Sequence, residues 1–196
     1  MYFTQNPSLH EIEKLMRMIP NFRPREHGII VLCGEEGGAG TASLIEALAG
    51  IRHPPFQRRL RQYMKESESN PMDYRNEKHR REFENTVRKK NKKNYALVAA
   101  LYLLTADCML WRSVKNCVVE NVICFEEIRL HDTDENSYAL FCAAKDLYLG
   151  TKYLSVSDLA DRELVPPRMF ALICNAMAIR RFGLGAIHFT VRGDMK

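Results

Sequence analysis

The sequence lacks the features that mark secreted and membrane-spanning proteins. Its six cysteines include no C-x-x-C pair, and most of them lie in apolar runs, as free buried thiols do. Residues 1–14 contain no apolar core of the signal-peptide type. The longest apolar stretch, residues 95–111, is interrupted by polar residues and is shorter than the roughly 20 residues that a spanning helix needs. We therefore expect a cytoplasmic protein that makes no contact with a membrane.

Motifs of known catalytic or metal-binding chemistry are also missing. The six histidines are scattered and form no H-x-x-x-H pair, whereas a zinc site needs three or four converging ligands. No G-x-S-x-G segment occurs. Cys142 and Cys174 lie in apolar segments, which do not activate a thiol. We therefore predict a protein that is not an enzyme and that has no catalytic residue, metal or cofactor.

One glycine-rich segment, residues 34–41, stands where a phosphate-binding loop would stand, between a candidate strand and a candidate helix. Such a loop usually carries a lysine before its serine or threonine. No lysine precedes Thr41 here, and Glu35 and Glu36 would place negative charge beside a phosphate. The segment is better interpreted as a flexible linker, and a nucleotide-binding enzyme is kept only as a minor alternative.

Apolar periodicity and capping patterns predict a mainly α fold. The predicted helices span residues 9–19, 43–49, 56–65, 72–90, 95–106, 109–125 with a break near Cys117, 137–149, 155–161 and 167–182. Residues 28–33 form one candidate strand, and the tail after residue 183 has room for another. The polar stretch from Ser67 to Asn70 predicts a boundary between an N-terminal region, residues 1–69, and a compact helical core domain, residues 70–196.

Positive charge is concentrated in one segment. The whole chain carries a net charge of +5, but residues 52–93 hold fourteen Lys and Arg against six Asp and Glu, a local charge of +8. Such a segment fits a phosphate-rich or acidic partner, with a solvated helix face as the alternative. The candidate nucleic-acid or partner-binding residues are Arg58, Arg59, Arg61, Lys65, Arg80, Arg81, Arg88, Lys89, Lys90, Lys92 and Lys93.

Three stretches carry a family resemblance: residues 96–107 (ALVAALYLLTAD), 140–148 (LFCAAKDLY) and 173–183 (ICNAMAIRRFG). They resemble a domain of unknown function in small helical proteins carried on integrative conjugative and other mobile elements of Gram-positive gut bacteria. Residues 12–25 are similar to the openings of other small mobile-element proteins. The resemblance covers residues 79–188 and implies a cellular context, but it assigns no catalytic role to any residue.

This context leads to a functional hypothesis of binding rather than catalysis. We expect a mobile-element accessory protein, with preference for an anti-CRISPR-like inhibitor of a nucleic-acid-guided host defence nuclease. Its partner would be the nuclease or its ribonucleoprotein. The alternative is a regulator of the element that binds DNA or RNA directly. The sequence leaves the oligomeric state open.

Overall fold

The computed structural model describes residues 41–69, 73–131 and 133–187. Within them the chain forms eight α-helices and one short antiparallel hairpin, which confirms the prediction of a mainly α fold. The predicted helix 9–19, the candidate strand 28–33 and the glycine-rich residues 34–40 lie outside the described residues. So does the part of the tail from residue 188 onward.

The helices are α1 Thr41–Leu48, α2 Pro54–Ser69, α3 Glu77–Val87, α4 Tyr95–Thr105, α5 Cys108–Val114, α6 Glu135–Leu149, α7 Val156–Ala160 and α8 Pro167–Phe182. The strands are β1 Val118–Val119 and β2 Val122–Ile123. They pair in antiparallel register, with Val118 opposite Ile123 and Val119 opposite Val122. Short 3-10 turns cover Lys115–Cys117, Phe125–Glu127 and Gly183–Ala186.

Helix α4 is the centre of the core. Its sequence, YALVAALYLLT, is apolar on every side, and a helix of that kind is stable only when it is surrounded by protein or lipid. Here every residue from 97 to 105 is buried, with α6 and α8 as its main packing partners and α3 against it as well. The Asn94 side chain caps its start by accepting a hydrogen bond from the Leu97 N–H at 3.1 Å.

Helix α2 joins the N-terminal side of the described chain to the same core. Its Phe56 and Tyr63 rings meet the Phe170 ring of α8 edge-on, with centroids 6.0 and 6.1 Å apart. Residues on both sides of the predicted boundary at residue 69 therefore share one core. Helix α2 continues to Ser69, so the predicted polar break at Ser67–Asn70 is helical as far as that residue.

Helix α3 is shorter than predicted. The sequence suggested a helix over residues 72–90 that begins at Asn70 and Pro71, whereas α3 covers Glu77–Val87. The reason is local: the Asn76 side chain accepts a hydrogen bond from the His79 N–H at 2.9 Å and so caps the helix there. The Tyr102 hydroxyl also donates to the Asp73 carbonyl, which holds that residue outside the helix.

The prediction of a helix over residues 109–125 is correct up to Val114 and wrong after it. The chain is helical only from Cys108 to Val114 and then forms the hairpin. Two β-branched pairs, Val118-Val119 and Val122-Ile123, flank the two-residue turn Glu120-Asn121, and two-residue turns are the commonest hairpin connections. Such turns favour glycine, asparagine and aspartate, yet Glu120 takes the positive φ of 46° here. The sequence signal is therefore weak, because it is six residues long and has no glycine in the turn.

The segment Pro167–Ala186 is long and apolar enough to cross a membrane by length and composition alone. In this fold, however, 61% of it is buried inside the protein. Its apolar residues are those of α8, which packs against α1, α4 and α6. Core packing accounts for the composition of this helix.

Candidate functional site

The structure divides the eleven predicted binding residues by exposure. Eight are exposed, two are half-buried and one is buried. The exposed residues are Arg58, Arg61, Lys65, Arg81, Arg88, Lys89, Lys92 and Lys93; the half-buried ones are Arg80 and Lys90; the buried one is Arg59. Two groups result, one on α2 and one at the end of α3.

Arg59 is a buried structural residue that links α2 to the segment around α7. Its guanidinium donates to the carbonyls of Leu159 at 2.9 Å and Asp161 at 2.6 Å, and also to that of Val165. It stacks over the Phe170 ring at 4.3 Å from the centroid. Burial lowers the pKa of Arg59. Because its donors are used by the segment around α7, this arginine does not face a partner.

The other three residues of the α2 group lie on the solvent-exposed face of the helix. Arg58, Arg61 and Lys65 are spaced three and four residues apart, so they share one exposed face. Helix α2 packs mainly on α1 and α7, whereas the second basic group follows α3, which packs on α4. The two groups therefore lie on helices with different main packing partners.

Two arginines, Arg80 within α3 and Arg88 just after its end, are neutralised by carboxylates of α3. Arg80 approaches Glu84 at 3.4 Å and Glu77 at 3.7 Å, and Arg88 approaches Glu84 at 3.8 Å. Glu84 is almost fully buried between them. Arg81, by contrast, is exposed and makes no ion pair with any described residue. Besides Lys78 in its first turn, Arg81 is therefore the exposed cation that α3 offers to a partner.

Residues 88–93, which we call the basic turn, connect α3 to α4 and are anchored on the hairpin. The Lys90 ammonium donates to the Glu120 carbonyl, and the Asn91 N–H donates to the Asn121 side chain at 2.7 Å. The remaining lysines of the turn, Lys89, Lys92 and Lys93, are exposed. A loop held at two points presents these charges with less ordering cost than a free tail.

Beside the basic turn, the hairpin exposes two apolar side chains. Val119 is 56% exposed and Val122 is 53% exposed, and the two face each other across the strands. The basic turn and the hairpin tip thus form one composite surface of positive charge and apolar area. Sequence reasoning identified the lysines of this surface but missed the hairpin that supports them.

A cleft that the sequence did not suggest opens between the start of α3 and α5. Its volume is about 410 Å³. Four cationic side chains line it, Arg75, Lys78, Arg112 and Lys115, together with Trp111. We call it the basic cleft. Only Lys78 and Arg75 belong to the segment with the strong positive charge, so composition alone gave no reason to group them with Arg112 and Lys115.

The histidine at the floor of the basic cleft is not a catalytic acid or base. Burial lowers the pKa of His79 to about 4, so the ring is neutral near pH 7. Its Nε2–H donates to the Tyr102 backbone carbonyl at 2.8 Å, and its Nδ1 accepts from the Arg75 backbone N–H at 3.1 Å. Since both ring nitrogens have partners, His79 has a structural role.

The buried thiols are equally unsuited to catalysis. Burial raises the pKa of both Cys142 and Cys174, which keeps them protonated near neutral pH. Among the described residues, no group of three or more His, Cys, Asp and Glu is placed to hold a metal ion.

Comparison of the chain with known protein families, with curated proteins and with solved structures finds no match. The resemblance to small mobile-element proteins stays a prediction.

Proposed function

We propose that this protein is a non-enzymatic accessory factor that binds nucleic acid, free or within a nucleoprotein, through the basic turn and the adjoining hairpin. The observation that carries the proposal is the anchored, exposed basic turn. Lys89 and Lys93 make no ion pair with any described residue, so their charge is available to phosphates. Phosphate contacts of this kind give affinity that depends strongly on salt and weakly on sequence.

The more specific form of the proposal is an inhibitor of a nucleic-acid-guided defence nuclease. The channel of such a nuclease is itself positively charged, because it holds a nucleic-acid heteroduplex. A basic surface would be repelled by that channel when it is empty and attracted to the nucleic acid that fills it. We therefore expect the inhibitor to recognise the guide-loaded ribonucleoprotein. A regulator that binds the element's own DNA uses the same surface and is the second candidate.

The test is the salt dependence of binding to a DNA duplex and to single-stranded RNA. Each phosphate contact contributes about 0.7–0.9 to the slope of log K against log salt. The triple variant Lys89→Gln/Lys92→Gln/Lys93→Gln should therefore reduce the slope by about 2 on single-stranded RNA and about 3 on duplex DNA, and weaken binding at low salt. The matched control, Arg129→Gln/Lys152→Gln/Arg168→Gln, removes three exposed cations from elsewhere on the surface and should leave the slope unchanged.

Equal slopes for the parent and the two triple variants would rule out the basic turn as the binding surface. The two forms of the proposal are separated by a guide-loaded nuclease. Capture of the ribonucleoprotein, with bare nucleic acid held at least tenfold more weakly, supports the inhibitor. Equal affinity for bare DNA supports the regulator. Capture of the nuclease without its nucleic acid contradicts both.

A further inference from the structure

We infer that the basic cleft is a binding site for a single nucleotide, with the phosphate held by Lys78, Arg112 and Lys115 and the base against Trp111. The site goes beyond the proposed function, because none of its residues belongs to the basic turn. Helix α3 has eleven residues and is about 16 Å long. The basic cleft lies beside the first turns of α3, and the basic turn follows the last turn of the same helix.

The charge of the cleft favours an anion. Lys78, Arg112 and Lys115 make no ion pair with any described residue, and the one polar contact of the Arg112 guanidinium is a weak one to the Met109 sulfur at 3.7 Å. Arg112 and Lys115 are three residues apart and thus lie on one face, opposite Lys78 on α3. Three cations around one concave space attract a phosphate more strongly than the same charges spread over a convex surface.

The acidic residues of the cleft do not cancel this charge. The Asp107 carboxylate accepts from the Met109 and Leu110 N–H groups at 2.9 and 3.0 Å through one oxygen. Its other oxygen accepts from Arg75 at 3.0 Å. Arg75 and Asp107 therefore neutralise each other. Among the described residues of the lining, Glu82 is the only other carboxylate, and three cations remain against it.

Trp111 adds an aromatic wall to the anion site, which makes the site suited to a nucleotide. The indole is half-buried, with part of it packed on the core and part lining the cleft. Aromatic side chains bind nucleobases of any sequence by stacking, and a cavity of about 410 Å³ is within the size range of small-ligand sites. Inorganic phosphate would leave the aromatic wall unused, whereas a nucleotide would use both the wall and the cations.

The chain contains a single tryptophan, so its fluorescence reports on this cleft. We would titrate the full chain with adenosine 5′-monophosphate, adenosine and inorganic phosphate. The expected result is saturable quenching by the monophosphate at concentrations at least tenfold lower than for either fragment. A short oligonucleotide with a terminal 5′-phosphate, compared with the same strand without it, distinguishes a strand end from a free nucleotide as the source of the ligand.

The variant Arg112→Gln/Lys115→Gln should weaken binding of the monophosphate by about tenfold or more, since a hydrogen bond to a charged group is worth roughly that factor. The control Arg129→Gln/Lys152→Gln removes two exposed cations outside the cleft and should bind like the parent. The basic-turn triple variant should also bind the monophosphate like the parent. Calorimetry gives the same comparison for Trp111→Phe, which lacks the optical signal.

Three outcomes would overturn the inference: no saturable response to the monophosphate or to the 5′-phosphorylated strand, equal binding by the cleft variant and its control, or equal binding of inorganic phosphate and the monophosphate. None of these affects the proposed function, which is measured by the salt slope of the basic-turn variant. Conversely, a parent-like salt dependence of nucleic-acid binding in the basic-turn variant would not contradict the nucleotide site.

Discussion

Arg58 and Arg59 are neighbours of the same charge, and the fold gives them opposite environments. Arg58 points into solvent, whereas Arg59 is buried with 6% of its surface exposed. One residue along a helix is a rotation of about 100°, which is enough to move a side chain from the outer face to the core. The sequence shows a cluster of arginines here, and only the packing of α2 separates the functional candidates from the structural one.

This difference predicts unequal effects on stability. Arg59→Met removes the donor from three carbonyls and the cation from the Phe170 ring, so we expect a loss of about 2–4 kcal/mol in the free energy of unfolding. Arg58→Met should change it by no more than about 0.5 kcal/mol. Urea denaturation of the two variants measures both values, and similar losses in the two would contradict the structural role of Arg59.

Among the elements, the helices with the clearest sequence signals are the ones that the sequence predicted well. Helix α4 is apolar throughout, α6 ends at Gly150, and α8 begins at Pro167 and ends before Gly183. Helix α7 carries a full capping box between Ser155 and Asp158. The start of α3 was predicted too early, because the Asn76 side chain caps the helix there and the Tyr102 hydroxyl holds Asp73 outside it. The hairpin was missed because its sequence pattern is very short.

The two glycines that end α6 and α8 predict different costs for the same substitution. Both have positive φ, 72° for Gly150 and 77° for Gly183. Gly150 is left-handed helical, with ψ 22°, where alanine costs about 1 kcal/mol. Gly183 has ψ −165°, in a region essentially confined to glycine, where alanine costs more. At Gly183 the new Cβ would also lie 2.9 Å from the Tyr95 ring, whereas at Gly150 it would meet nothing within 4 Å. We therefore expect Gly183→Ala to destabilise the protein more than Gly150→Ala.

Thermal or urea unfolding of the two alanine variants measures the difference. A Tyr95→Leu background is the control, because it removes the ring that the new Cβ would touch. In that background, the excess cost of Gly183→Ala over Gly150→Ala should become smaller, because the contact with the ring is removed and only the backbone difference is left. If the excess cost is unchanged there, the contact with Tyr95 does not contribute to it.

At the scale of the whole molecule, a buried chain of polar contacts crosses the core. The Tyr63 hydroxyl donates to the side-chain Oδ1 of Asn175 at 2.6 Å, and the side-chain Nδ2 of Asn175 donates to the Tyr102 hydroxyl at 3.1 Å. The Tyr102 backbone carbonyl then accepts from His79. These contacts link α2, α8, α4 and α3. Buried polar groups are tolerated only when they are satisfied, and satisfied networks restrict the ways in which helices pack.

The position of His79 predicts how global stability depends on pH. Its pKa is lowered to about 4 from an ordinary value of 6.5, so between these values the unfolded chain binds a proton that the folded chain does not. The stabilisation is complete above about pH 6.5 and is lost as the pH falls towards 4, by roughly 3 kcal/mol in total. Urea unfolding of the parent across this range should show the loss.

The variant His79→Gln should lose less stability than the parent between pH 7 and 4, by about that amount. His131→Gln replaces an exposed histidine and should follow the parent. Parallel pH profiles for the parent and His79→Gln would mean that His79 is not responsible for the acid sensitivity.

The sequence by itself determined the mainly α class, the central apolar helix and the positions of most helix ends, because these depend on composition and on capping within a few residues. It also located the lysines of the basic turn. Only the tertiary structure decided that Arg59 is internal, that the basic turn is anchored on a hairpin, and that Trp111 and three cations share one cleft. Those features join residues tens of positions apart, and local patterns carry no information about such distances.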